Sequence, residues 1–121
     1  LLGTYNINRD FIKVKIKIKN IYLDIERAIP CCLIINELVT NSLKYAFPGG
    51  KGDLSIEMCR KDHKYMLKVK DSGTGLPDDL DLENIKTLGL ELVFNLSEQI
   101  EGTVEILRDR GTTFNIIFPS Q

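Results

Sequence analysis

The sequence predicts a two-layer α/β sandwich: a mixed, mainly antiparallel sheet with helices on one face. Three observations lead there. Several short runs alternate apolar and polar residues, two longer runs repeat their apolar residues at helical spacing, and most neighbouring strand runs are separated by tight turns instead of helical crossovers. Strands joined by short turns pair antiparallel, and amphipathic helices bury their apolar stripe against one side of such a sheet.

In chain order, Ile12, Val14, Ile16 and Ile18 alternate with lysines, which predicts a half-buried strand whose basic residues form its wet face. Tyr22 to Ile25 reads as a second short strand. Pro30 fits the first turn of a helix, where a missing N–H has no partner to lose, and this helix is expected from about Pro30 to Phe47, stopped by Pro48-Gly49-Gly50. Leu54, Ile56 and Met58 alternate, as do Tyr65, Leu67 and Val69, and Asp62-His63 between them makes the pair a hairpin. Residues Gly73 to Lys86 are polar and acidic with no clean period and read as an irregular loop. Leu88 to Ile100 returns to helical spacing, with Gly102 at the stop position. Val104 to Leu107 and Phe114 to Phe118 form a closing hairpin, turned by Arg108 to Thr112. The expected order is strand, strand, helix, hairpin, loop, helix, hairpin.

The 121 residues are one domain by size, with 43% hydrophobic and 27% charged residues, as in a water-soluble globular protein. Sixteen basic and 17 acidic residues leave a net charge of −1, which gives no support to a nucleic-acid footprint. No run approaches the ~18 apolar residues that cross a bilayer, so no membrane contact is expected of this segment. The chain begins without Met and is expected to belong to a longer protein, in which a membrane anchor stays open. Cys31, Cys32 and Cys59 are odd in number and lack zinc-type spacing; they read as reduced, buried thiols of a cytoplasmic protein.

Four segments carry chemistry. Set at roughly 100° per residue, Glu37, Asn41 and Lys44 share one stripe of the first helix, while Ile35, Leu38, Val39, Ser42 and Ala46 lie opposite. A carboxamide oxygen at Asn41 suits magnesium, which takes oxygen ligands and keeps several waters. Glu37 could orient or deprotonate a metal-bound water, and Lys44 could offset phosphate charge. Asp71-Ser72-Gly73-Thr74-Gly75 follows an apolar strand, where a carboxylate can accept a hydrogen bond from the exocyclic amine of adenine and glycines let backbone pass close to a base. Thr87-Leu88-Gly89-Leu90 opens a helix, whose N-terminus favours an anion. Gly111-Thr112-Thr113-Phe114 opens the last strand and brings a hydroxyl. Taken singly, each has a plain structural reading: a solvated helix face, an acidic turn, a helix start, a strand. No Gly-x-x-x-x-Gly-Lys-Ser/Thr occurs, which excludes a P-loop, and the dinucleotide fingerprint fails because position 78 is Asp where a third Gly is required.

Together and in this order, the four segments resemble the ATP-binding domain of sensor histidine kinases, in the superfamily shared with gyrase B, Hsp90 and MutL. Ile35 to Pro48 looks like the N box, Asp71 to Pro77 like the next box, Leu88 to Val93 like the last glycine box. The resemblance implies a Bergerat-type ATP-binding fold with ATP and Mg²⁺ as its ligands. It also implies that Asn41 binds Mg²⁺, Lys44 and Tyr45 line the phosphate and sugar region, and Asp71 reads the adenine amine. Gly73 and Gly75 would then shape the pocket, Leu88, Gly89 and Leu90 contact nucleotide at the lid hinge, and Thr112 support the Asp71 end. Glu37 matches the general base of hydrolysing relatives. The implied partners are a dimerisation domain of the same protein, carrying the phospho-accepting histidine, and a response regulator. Thr87 stands where many members have Gly, and the lid from Asp78 to Leu88 is short. No acceptor helix is present, and His63, the sole histidine, reads as a turn residue. A regulatory ATPase or anti-sigma serine kinase of the same fold, or a scaffold that binds only protein, are the rival readings.

Overall fold

The computed structural model describes residues 11–43, 51–73, 88–108 and 110–120. They form β1 (Phe11–Ile18), α1 (Ile25–Asn41), β2 (Lys51–Lys61), β3 (Lys64–Asp71), α2 (Leu88–Gln99), β4 (Thr103–Arg108) and β5 (Thr112–Pro119). The five strands make one sheet in the order β1-β2-β3-β5-β4. β1 pairs parallel with β2, across the α1 crossover, and the other three pairings are antiparallel. This is the predicted mixed, mainly antiparallel sheet with two helices. No helix among the described residues is long and apolar enough to cross a membrane.

The core follows from period two on the strands and period 3.6 on the helices. Leu54, Ile56 and Met58 of β2, Leu67 and Val69 of β3, and Phe114, Ile116 and Phe118 of β5 project to one side. Ile34, Leu38 and Val39 of α1 and Leu90, Val93 and Leu96 of α2 close over them. Tyr65 stacks on Phe118 at 5.4 Å between ring centroids and donates its hydroxyl to the Tyr22 carbonyl at 2.9 Å. The other side of the sheet is mainly polar, with Met66, Ile117 and Leu107 as apolar members, and on β1–β3 its charges alternate by strand. Lys13 and Lys17 of β1 stand opposite Asp53 and Glu57 of β2, and Glu57 stands opposite Lys68 of β3. Opposite charges in register favour the pairing by about 0.2–1 kcal/mol each.

Four expectations need correction. Tyr22 to Ile25 is no strand: Tyr22 is 83% exposed and its carbonyl takes the Tyr65 hydroxyl in place of a ladder partner. The first helix starts at Ile25 and contains Pro30. Asp24 has extended backbone and its carbonyl accepts the Arg27 and Ala28 N–H groups, so the helix is nucleated before the proline. A proline one turn further in has the right φ and removes one hydrogen bond, a cost the buried Pro30 ring offsets by packing. At the other end, Ser42 and Leu43 continue with wider, π-type bonding, and the expected extension to Phe47 lies outside the described residues. Gly102 is not the left-handed residue that stops α2; Glu101 is, at φ 59°. The Gly102 N–H then bonds the Ser97 carbonyl at 2.8 Å and that of Glu101 bonds Glu98, a Schellman arrangement. Space at 102 is tight, since a Cβ would sit 3.1 Å from the Ile117 carbonyl and 3.2 Å from that of Ser97. Finally, β1 is less buried than its alternation implies. It is an edge strand, and Val14, Ile16 and Ile18 are each nearly half exposed although they point to the core side.

The cysteines also differ from expectation, because only Cys31 is buried while Cys32 and Cys59 are exposed. Burial, reinforced by the neighbouring Cys32 and opposed by Arg27, pushes the Cys31 thiol up to about 12. The loop expected over Gly73 to Lys86 falls, beyond Gly73, outside the described residues.

The two faces of the burial argument are separable in solution. Ile34→Ala, at a fully buried position, should cost about 2–5 kcal/mol of unfolding free energy in urea titrations. Ile16→Ala on the open edge should cost less than about 1 kcal/mol; an equal loss at both positions would show that β1 is covered.

Candidate functional site

The site is built at the end of the sandwich where α1 finishes, β3 finishes and β5 begins. Its centre is Asp71, a carboxylate only 5% exposed. Three donors from three elements hold it. The Ser42 hydroxyl at the end of α1 donates to Asp71 Oδ2 at 3.1 Å. The Gly73 N–H, just past β3, donates to Oδ1 at 3.2 Å, and the Thr112 N–H, opening β5, donates to the same oxygen at 3.2 Å. A carboxylate offers about four acceptor positions, so these donors fill three of them. Burying such a group is costly unless it is hydrogen-bonded in this way.

The backbone around Asp71 is equally constrained. Asp71 lies opposite Thr112 on one side and Leu54 on the other. Beyond it, Ser72 donates its N–H to the Asp53 carbonyl at 3.0 Å and accepts the Asp53 N–H on its hydroxyl at 2.8 Å. Gly111 sits at φ 118°, and a Cβ there would collide with the Asp71 carbonyl oxygen. The turn into β5 therefore approaches the end of β3 too closely for a side chain at 111.

The predicted residues fall as follows. Asn41 is half-buried in the last turn of α1, directly before Ser42, so the carboxamide and Asp71 belong to one end of the domain. Glu37 is half-buried one turn earlier on the same stripe. Thr112 is buried and contributes its backbone N–H to Asp71. Gly73 contributes a backbone donor too. Leu88, Gly89 and Leu90 form the first turn of α2, and Leu90 is buried in the core. α1 and α2 run antiparallel, since the start of α1 meets the end of α2, which places this first turn near the Asn41 end of α1. Lys44, Tyr45 and Gly75 lie outside the described residues. His63 is exposed in the two-residue turn between β2 and β3.

Two residues were missed by the sequence reading. Ser42 was placed among the apolar stripe of α1; a lone hydroxyl on such a stripe was the available signal, since a buried hydroxyl needs a partner. Gly111 was noted only as part of a strand opening, and its collision with Asp71 has no one-dimensional signature.

Residues 26–121 match the model of the histidine kinase-, DNA gyrase B- and HSP90-like ATPases, and the chain belongs to that family. Its relatives are sensor histidine kinases. PdtaS of Mycobacterium tuberculosis is 35% identical over 95 residues, covering 74% of this chain and 19% of that protein. Blue-light-activated histidine kinase 2 of Erythrobacter litoralis is 28% identical, over 92% of this chain and 33% of that one. The solved histidine kinase domain of the Erythrobacter litoralis EL346 blue-light-activated kinase superposes with a TM-score of 0.85 at 27% identity, over 92% of this chain and 52% of that one. The chain therefore spans about a fifth to a third of the length of these two curated relatives.

The close approach at Gly111 is directly testable. Gly111→Ala should lower unfolding free energy by about 2–4 kcal/mol in thermal or urea melts, because the turn must retreat from Asp71. Wild-type stability in this variant would show that the approach is not required.

Proposed function

We propose that the chain is the ATP-binding catalytic domain of a two-component sensor histidine kinase, working in the cytoplasm as one domain of a longer protein. It holds ATP and Mg²⁺ and supplies the γ-phosphate to a histidine on a separate dimerisation domain. That phosphoryl group then passes to an aspartate of a response regulator. The observation that carries the reading is the buried Asp71 carboxylate, held by Ser42, Gly73 and Thr112 at the same end as Asn41.

The residues fit the chemistry. With three acceptor positions of Asp71 filled, the fourth takes the exocyclic amine of adenine, which no guanine can supply at that place. Gly73 leaves room for the flat base, and the resemblance assigns Gly75 the same role. The Asn41 carboxamide oxygen is the protein's ligand for Mg²⁺ and adds no negative charge beside the triphosphate. When bound, Mg²⁺ neutralises charge that builds on the phosphate oxygens during transfer. The resemblance assigns Lys44 and Tyr45 to the phosphate and sugar region and the first turn of α2, Leu88-Gly89-Leu90, to the hinge of the lid, with the core-buried Leu90 anchoring that turn. Glu37 occupies the general-base position of hydrolysing relatives and here orients solvent near Asn41. In the transfer itself, an imidazole nitrogen attacks the γ-phosphorus, the bond to the bridging oxygen breaks, and ADP leaves.

Titration with a non-hydrolysable ATP analogue tests the site. Asp71→Asn replaces an acceptor with a donor and should weaken binding at least roughly tenfold, about 1.4 kcal/mol. Asn41→Ala should remove the Mg²⁺-dependent gain in affinity and leave metal-free binding in place. Equal binding by wild type and Asp71→Asn would move the chain to the protein-binding scaffold reading.

The chain alone should incorporate no label from radiolabelled ATP, and should label an added histidine-bearing dimerisation helix. Self-labelling would overturn the separate-acceptor scheme, and labelling of a partner serine would assign the chain to the serine kinases of this fold.

A further inference from the structure

The helical layer carries a second feature, at the end of α1 away from Asp71. Ile25, Ile29 and Leu33 recur at every fourth residue of α1 and face solvent, Ile25 73% and Ile29 55% exposed. They line a groove of about 450 Å³ between the helices, completed by Pro30 of α1 and by Leu96 and Gln99 of α2. Glu26 and Gln99 also border an adjoining hollow of about 180 Å³, whose other walls include Asp24, Arg27 and Glu101. Of the two cavities, the first is aliphatic and the second is acidic, with three carboxylates against one guanidinium that is itself paired with Asp24 at 3.3 Å.

The position of the acids says more than their number. Asp24 and Glu26 lie at the start of α1, where carboxylates complement the helix dipole. Glu98 and Glu101 lie at the end of α2, where the dipole favours cations, and the last turn of α2 has no basic residue. Local helix energetics therefore do not account for them, whereas a cation brought to this mouth would account for Glu101, which borders it.

We propose that this groove is a docking site for an amphipathic helix of a protein partner, with apolar anchors at i, i+3/i+4 and i+7 followed by lysine or arginine. A third helix is the shape that packs between two helices by interleaving side-chain ridges. Its apolar anchors lie on Ile25, Ile29 and Leu33, and its basic end enters the mouth formed by Glu26 and Glu101. The site is separate from the nucleotide end: α1 is 17 residues, roughly 25 Å, and the two features occupy its opposite halves. The inference does not rest on the proposed function.

The test uses the 121-residue chain and three fluorescent helical peptides, read by anisotropy. One has leucines at the stated spacing with lysine flanks, one has the same leucines with glutamate flanks, and one has the lysine flanks with leucines respaced to i, i+2. The first should bind roughly tenfold tighter than either of the others, and added salt should weaken it. Ile29→Asp should abolish that binding while the circular dichroism spectrum is retained, since the side chain is exposed. The charge-reversed pair Glu26→Lys with Glu101→Lys should invert the preference toward the glutamate-flanked peptide. Equal binding of all three peptides, or unchanged preference in the charge-reversed chain, would overturn the proposal. So would sedimentation showing that the chain self-associates through this groove, with Ile29→Asp monomeric.

Discussion

The Asp71 carboxylate is the constraint on which the rest of the structure depends. It is buried, so it needs donors, and the donors come from the end of one helix, the start of one strand and the chain leaving another. Meeting that need fixes the depth of α1 over the sheet, the pairing of β3 with β5, and the path of the backbone past Gly73. The ladder from Lys64–Pro119 to Asp71–Thr112 delivers the acid and its Thr112 donor side by side. Everything proposed to read a nucleotide is positioned from this one group.

The sequence disclosed those parts of the fold in which one face is buried and the other wet. The β2–β3 and β4–β5 hairpins and α2 were legible because Leu54-Ile56-Met58, Phe114-Ile116-Phe118 and Leu90-Val93-Leu96 keep strict periods against a single core. The connection from β1 to α1 was not. Tyr22 and Leu23 alternate like a strand but form a connection without a ladder partner, the Tyr22 carbonyl taking the Tyr65 hydroxyl instead. The start of α1 was hidden by Pro30, whose local preference for a first turn was overridden by nucleation at Asp24. The exposure of β1 was illegible for another reason: alternation says which side a residue points to, and only the strand order says whether anything lies there. In the candidate site, Asp71 and Asn41 were singled out by residue type and spacing, and Thr112 for its hydroxyl, whereas the group that reaches Asp71 is the Thr112 backbone N–H. Ser42 and Gly111 act through contacts with positions 29 and 40 residues away in the chain, and such contacts have no local pattern.

A net charge of −1 also conceals how the charges are distributed. Lysines dominate the outer face of the sheet, where Lys13, Lys17 and Lys68 flank the acids of β2. Acids dominate the helical layer, in Glu26, Glu37, Glu91 and Glu98. Among the described residues, the sheet face and the helical layer therefore carry charge of opposite sign.

The Ser42 hydroxyl has a consequence for how this chain can vary in length. Removing or adding one residue within α1 would turn everything after it by roughly 100° and shift it by about 1.5 Å. The hydroxyl would then face away from Asp71, and the acid would lose its helix-borne donor. An insertion or deletion inside α1 therefore costs the Ser42–Asp71 hydrogen bond, whereas one in the connections on either side need not.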